Sequence, residues 1–287
     1  MKKTVGKLLI IFGVLIIASL AFGGWRISSL FAANQGSDQS AHASVSKINH
    51  IDINGQNMTV KIKAENRDNI EAVLSGESVH LKSSEQGGTF RLSVQPKGSL
   101  LFSFRKNELI VKVPYQFQDD LSIKSDSGNV NISGEHLSLR HVSVKSGAGN
   151  LKINQLHSSE LSVKGNSGNI RLENVKTKTA KIDSTSGNTK LNHVSGKLSI
   201  KQTSGNLNAS FSTINAPLSI DGTIGNTKLE LPEDADISLD AKATIGNIKH
   251  SYSFDETSED KQKLIGKNRN GKYKIDISLT SGNLSIE

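Results

Sequence analysis

The side chains best suited to chemistry are thinly spread along this chain. Its histidines are His42, His50, His80, His136, His141, His157, His193 and His250, and it has no cysteine. Lack of cysteine removes thiol nucleophiles, disulfides, Cys-ligated zinc and lipid attachment through an N-terminal Cys. Only His136 and His141 lie close in sequence, and a spacing of five puts them on opposite faces of a strand. All eight read as surface residues. There is no G-x-S-x-G elbow, H-E-x-x-H, phosphate-binding Gly-Lys-Ser/Thr loop or EF-hand loop. Gly147-Ala148-Gly149 lacks the third glycine of a dinucleotide fingerprint. The calcium-binding nonapeptide needs Asp after its glycine turn, where this chain always has Asn. The sequence therefore implies no metal and no cofactor.

Sugar hydrolysis needs two carboxylates about 5–9.5 Å apart. Asp183 with Asp221, and Asp240 with Asp276, are the best-spaced candidates. Aromatics make up only 5% of the chain, and the single Trp, Trp25, lies in an apolar N-terminal run, away from either pair. No residue is assigned a catalytic role, and the expectation is a chain that is not an enzyme.

These residues acquire positions through a repeat. Gly-Asn recurs at Gly128-Asn129, Gly149-Asn150, Gly168-Asn169, Gly187-Asn188, Gly205-Asn206, Gly225-Asn226, Gly246-Asn247 and Gly282-Asn283. The spacings are 21, 19, 19, 18, 20, 21 and 36 residues. Flanks such as LSIKSDSGNVNI, LSVKGNSGNIRL and LSIKQTSGNLNA place apolar or small residues seven and five before the Gly, and usually others two and four after it. A period near twenty implies stacked coils, because one unit cannot bury its own apolar side. Short strands with no helical period suit coils stacked in parallel, about 4.8 Å apart. Gly tolerates positive φ at each bend, Asn is the next most tolerant residue, and stacked Asn side chains can form amide ladders. The alternative is an antiparallel sandwich of Gly-Asn hairpins, which does not explain why the whole twelve-residue pattern recurs. The expected fold is all-β: a right-handed parallel β-solenoid of about eight Gly-Asn coils over residues 118–287. Residues 251–272, crowded with charge, are expected to leave it as a loop.

Stacking would turn single positions into columns. Four before each Gly stand Lys124, Lys145, Lys164, Asp183, Lys201, Asp221, Lys242 and Ser278; three after it stand Asn131, Lys152, Arg171, Lys190, Asn208, Lys228, Lys249 and Ser285. Both columns should face solvent. Like charges 4.8 Å apart repel by roughly 1 kcal/mol in water, a cost that an anionic partner would offset. Lys152, Arg171, Lys190, Lys228 and Lys249 are the candidate anion-binding residues, and an anionic envelope polymer is the candidate ligand. The alternative is that the lysines keep the rod soluble and block edge pairing.

Upstream, residues 47–117 alternate at period two (Ile51, Ile53; Val60, Ile62; Phe90, Leu92, Val94; Leu109, Val111, Val113) and read as an irregular β segment. Residues 34–46, small and polar, read as a linker. In residues 1–33, Lys2, Lys3 and Lys7 precede the apolar run Leu8 to Phe22. This is a retained single-span anchor or a cleaved signal peptide, and both leave the lysines cytoplasmic and export the rest. Four cations (Lys2, Lys3, Lys7, Arg26) fall in this segment, so the exported part drops from the whole chain's +8 to +4. That modest charge, with few aromatics, argues against nucleic acid. The expected location is the cell membrane, with a cytoplasmic N-terminus and an extracytoplasmic C-terminal domain.

The apolar anchor, the β segment ending in LIVKVPYQF, the S-G-N-[VLI]-x-[IL] units and the closing IDISLTSGNLSI together resemble the bacterial "putative adhesin" domain of unknown function, over roughly residues 45–287. The resemblance implies a β-solenoid on the outer side of the cytoplasmic membrane, linked to envelope stress, with another envelope-stress protein as a further possible partner. It brings no catalytic residues.

Overall fold

The computed structural model describes residues 39–76, 79–96 and 107–287. The anchor expected over 1–33 and the first part of the expected linker lie outside them. Among the described residues no helix is long and apolar enough to cross a membrane.

The repeat region forms coils, each with a strand on either side of a Gly-Asn corner. In chain order, the N-terminal strands are β1 (Gln39–Ser44), β2 (His50–Asn54), β3 (Thr59–Glu65), β4 (Asn69–Ser75), β5 (Val79–Gln86), β6 (Thr89–Pro96) and β7 (Glu108–Pro114). The regular part comprises β8 (Asp120–Ser127), β9 (Val130–Ser133), β10 (Ser138–Ala148), β11 (Leu151–Asn154), β12 (His157–Ser167), β13 (Ile170–Ser186), β14 (Thr189–Ser204) and β15 (Leu207–Ser210). It ends with β16 (Leu218–Ile224), β17 (Thr227–Glu230), β18 (Ile237–Ile245), β19 (Ile248–His250), β20 (Glu256–Glu259), β21 (Lys263–Asn268), β22 (Tyr273–Ser281) and β23 (Leu284–Ile286).

Successive coils pair in parallel with a shift of one repeat. Val142 lies beside Leu121 and Leu161, and Leu151 beside Val130 and Ile170. Parallel neighbours, not hairpin partners, thus build the regular part, as the repeat predicts. The residues seven and five before each Gly, such as Leu161, Val163 and Ile182, and those two and four after it, such as Leu151, Ile153 and Leu172, are buried between the two faces of the stack, except the half-buried His250. Burying such a side chain stabilises by about 1.5–3 kcal/mol, and one coil alone has nothing to bury it against.

The glycine corners permit the close approach. Gly187 has φ 117°, and a Cβ there would overlap the Gly168 carbonyl oxygen and lie 2.7 Å from its carbonyl carbon. The Asn column is hydrogen-bonded along its whole length, but not mainly as an amide ladder. Each Asn Oδ1 accepts the backbone N–H of the next Asn at 2.9–3.1 Å, through Asn129, Asn150, Asn169, Asn188, Asn206, Asn226, Asn283 and Asn247. Amide-to-amide bonds join only Asn169 to Asn150 and Asn283 to Asn226. At the bend the backbone N–H has no strand partner, and the Asn carbonyl is the nearest acceptor.

Three expectations are corrected. First, the stacking order departs from chain order at both ends. The final coil, β22–β23, lies between β16–β17 and β18–β19, so Asn226 is followed in space by Asn283 and then Asn247. At the other end β2–β3 stacks in parallel on β8–β9, and β6–β7 lies outside it. The 47–117 segment therefore adds two layers to the stack, with antiparallel β5 and β4 closing it. Second, residues 251–272 are not a plain loop. They contain the β20–β21 hairpin, whose β21 pairs antiparallel with β18 and covers the stack's end. Third, the linker expected over 34–46 is structured from Gln39: β1 pairs antiparallel with β4, and a short 3-10 turn follows at Val45–Lys47. Ala41 and Ala43 are small enough to pack on the core, so polar composition alone misread this stretch.

Candidate anion-binding face

The column three after Gly faces solvent along one side of the stack, because the residues before and after it point inward. The structure brings the candidate cations into one line but supplies several with carboxylates. Arg171 Nε donates to Glu173 at 2.6 Å, and Lys152 Nζ lies 3.3 Å from the same carboxylate. Lys228 bridges Glu230 at 3.1 Å and Glu287 at 2.9 Å. Arg171, opposed by partial burial and helped by Lys152, holds the Glu173 carboxyl below the usual range. The hydrogen bond from Lys228, then that from Ser210, does the same for Glu230, and the charge of Lys190 adds to it. The Glu287 and Glu230 carboxylates push the Lys228 ammonium up. Lys190 and Lys249 make no ion pair among the described residues. The signal for this pairing was present in the sequence: Arg171 and Glu173, or Lys228 and Glu230, are two apart and share one strand face.

At the C-terminal end this column borders a groove of about 560 Å³. One wall is amide (Asn206, Asn226, Asn283, Asn247), and the other is Asn208, Lys228, Ser285 and Lys249. The out-of-order coil sets this geometry, since Asn283 and Ser285 stand between the amides and lysines of coils that are consecutive in the chain. The second cation column is on the other face. Lys124 lies 3.4 Å from Asp126, whereas Lys145 and Lys164 make no ion pair among the described residues. Asp183, Lys201 and Asp221 occupy consecutive strands, so the lysine separates the two carboxylates as the spacing implied.

Asp240 and Asp276 are direct neighbours across β18 and β22. Each also faces a lysine two residues away, Lys242 at 3.8 Å and Lys274 at 2.8 Å. The histidines separate further. His141 Nδ1 is 2.8 Å from Asp120 and its Nε2 is 3.5 Å from Glu160. Arg140 is the chief reason that Asp120's carboxyl is held low. His136 and His193 serve as corners: with Gln155 and Asn174 they adopt left-handed φ of 53–65° about nineteen residues apart. That second corner column had a readable signal, its recurring spacing, but its mixed residue types hid it.

The profile of the family described as Toastrack DUF4097 matches residues 48–287, which takes in both cation columns and every Gly-Asn corner. The chain belongs to the Toastrack DUF4097 family. A search of curated proteins returns no match. Among solved structures, this Toastrack chain is similar to a protein described as a "putative adhesin" from Bacteroides fragilis, at 16% identity and TM-score 0.48, covering 88% of this chain and 97% of that one. A "putative adhesin" from Parabacteroides distasonis aligns at 12% identity and TM-score 0.47, covering 88% and 98%. A protein described as a "putative lipid binding protein" from the same species aligns at 12% identity and TM-score 0.35, covering 88% and 97%.

Proposed function

We propose that this Toastrack chain is a non-enzymatic binding scaffold, held by an N-terminal single-span anchor with its right-handed solenoid exposed outside the cytoplasmic membrane. In this reading it binds a linear anionic envelope polymer. The observation that carries the proposal is the groove of amides and lysines running along a stack whose donors repeat at strand spacing. A polymer with regularly spaced anionic groups can meet such a row without any induced fit. Lys190 and Lys249, which lack carboxylate partners, supply the attraction, while Lys152, Arg171 and Lys228 contribute only after giving up theirs. The lysines beside Asp240 and Asp276 favour an ion-paired surface over a hydrolytic dyad. A link to envelope stress is supported by a likeness in basic N-terminus, apolar run and length to LiaG, the membrane-anchored protein of the Lia cell-envelope stress operon.

The test uses the full chain in detergent with purified anionic cell-wall polymer, at several salt concentrations. Binding should weaken with salt and fall at least tenfold when Lys152, Arg171, Lys190 and Lys228 all become Gln. Undiminished binding by that variant refutes the anionic ligand. Mass spectrometry of membrane and secreted fractions checks the anchor: an intact Met1-to-Lys7 end is expected on the membrane-bound form.

A second reading is favoured by the β20–β21 hairpin, whose outer strand β20 is exposed at every residue and presents an unpaired edge. There the chain would regulate another envelope-stress protein by docking it at that edge. Thr257→Pro with Ser258→Pro, which blocks strand addition at the exposed edge, should abolish capture of such a partner, and capture that survives these changes refutes this reading.

A further inference from the structure

We propose that the C-terminal coil, residues 273–287, is a removable keystone that sets the length of the groove and the spacing of its lysines by entering or leaving the stack. Throughout residues 118–230 each coil rests on its predecessor in the chain, but β22–β23 is inserted between two coils that are themselves consecutive. It pairs in parallel with β16 and β17 on one side and with β18 and β19 on the other. The two registers are the same. Ile277 lies between Ile220 and Ala241, Ser281 between Ile224 and Ile245, and Ser285 between Lys228 and Lys249.

With the keystone out, coil 237–250 can therefore dock directly on coil 218–230 in register, restoring chain order. Partners lost along Leu218–Ile224 and Leu239–Ile245 are then replaced, those of Ile237 and Ser238 with Tyr273 and Lys274 are not, and the glycine and asparagine columns stay continuous. Two isoleucines mark the joint. The residue just before the corner glycine is Ser or Ala in the other coils, but here it is Ile224 and Ile245, 59% and 63% exposed. Ser281 holds them one strand apart, and docking would bring them side by side, covering part of each.

The present order is secured by specific contacts. Gly222 leaves the room that Leu279 fills, since a Cβ at Gly222 would lie 2.6 Å from Leu279 Cδ2. The strand is reached through the turn 268–272, where Arg269 and Gly271 have left-handed φ of 57° and 69°. Two carboxylates grip this turn: the Arg269 N–H donates to Asp255 at 2.6 Å and the Lys272 N–H to Asp236 at 2.9 Å.

The keystone also contributes Asn283, Leu284 and Ser285 to the groove. Its departure would bring Lys228 and Lys249 onto neighbouring strands and shorten the groove by one coil. An anion held by Asn283, Ser285 and Lys249 would favour the observed order by linkage, because that lining exists only with the keystone in place, whereas engaging Lys228 as well would cost its pair with Glu287. This coupling rests on the binding reading above; the exchange of coil order does not.

The absence of cysteine allows a clean trap in the full chain. Ser219→Cys with Asp276→Cys joins direct neighbours and should form a disulfide readily in the observed order. Ser219→Cys with Asp240→Cys spans the keystone, with Asp276 between them, at about 9.6 Å from two strand spacings. That exceeds the roughly 7 Å limit for a disulfide, so this bond can form only once the keystone has left. Ser143→Cys with Lys181→Cys spans Ser162 in the same way in the middle of the stack, where no strand can leave. Under mild oxidation the keystone-spanning pair should cross-link at least tenfold faster than this control. Adding Asp236→Asn, which weakens the latch, should accelerate it, and inorganic polyphosphate should slow it. Failure of the spanning pair to cross-link while the neighbour pair closes overturns the proposal. So does cross-linking no faster than the control, which would report general unfolding. Faster cross-linking that polyphosphate leaves unchanged supports the exchange and overturns its coupling to an anion in the groove.

Discussion

Gly187→Ala probes the stacking geometry most directly. At φ 117° the corner is outside the range that L side chains adopt, and the new Cβ would overlap the Gly168 carbonyl group, backbone that cannot rotate away. Holding a non-glycine residue in such a conformation costs about 1–3 kcal/mol. Relief requires the two corners to separate, which strains or breaks the Gly168 N–H bond to Ser186 (3.1 Å), worth about 0.5–1.5 kcal/mol. Together the penalty is about 2–4 kcal/mol. Gly87→Ala is the matched control: it has φ 57° and nothing within 4 Å of its Cβ site, so only the left-handed conformation, about 1–2 kcal/mol, opposes it. The assay is urea unfolding of the full chain in detergent, followed by β-sheet circular dichroism. Hydrogen exchange of the amides in residues 168–206 should locate the damage at neighbouring corners, as expected of a stack in which each coil touches only its neighbours. If Gly187→Ala is no more destabilising than Gly87→Ala, the corners are not in backbone contact and the stacking argument fails.

Further outcomes follow from the interior and the ion pairs. Gln202→Ala should destabilise by about 2–3 kcal/mol in the same urea assay, because the buried Thr189 hydroxyl and the Gly187 carbonyl lose their partner. Leu191→Ala, fully buried in a middle coil, should cost about 2–5 kcal/mol. Asn188→Ala removes the acceptor of the Asn206 N–H, but at an exposed site where water substitutes, so about 0.5–1 kcal/mol is expected. Arg67 first, then Lys112, holds Glu71's carboxyl low, and Glu173, Glu230 and Asp120 are also held low. Carboxylates with folded pKa values below their unfolded ones stabilise fully above the unfolded range, about pH 4, and lose that contribution as pH falls through the folded value. Tm should therefore be flat from pH 7 to about 5 and drop below about 4, and a Tm that rises on acidification contradicts the assigned ion pairs.

Sequence patterning by itself determined the elements that local and nearest-neighbour physics control. The repeat, the glycine bends and the inward Leu, Ile and Val positions such as Leu161, Ile170 and Leu172 were legible, because each is set by alternation within a strand or tolerance at a bend. The solvent-facing direction of Lys152, Arg171, Lys190, Lys228 and Lys249 followed from the same alternation. The strand at Gln39–Ser44 was not legible, since its pairing with β4 depends on an edge thirty residues away and its own composition is merely small and polar.

Coil order was decided by tertiary structure alone. The repeats carry nearly the same apolar pattern, so almost any coil can pair in register with any other, and chain order is only the default. At the C-terminal end that degeneracy is broken by shape, with Leu279 seated over Gly222, and by the turn that Asp236 and Asp255 hold. The part of the groove lined by Asn283 and Ser285, between Lys228 and Lys249, is there because of that choice. Which cations remain free is decided the same way: Lys152 finds a carboxylate on the next coil and Lys249 finds none, a difference that only the positions of stacked strands can make.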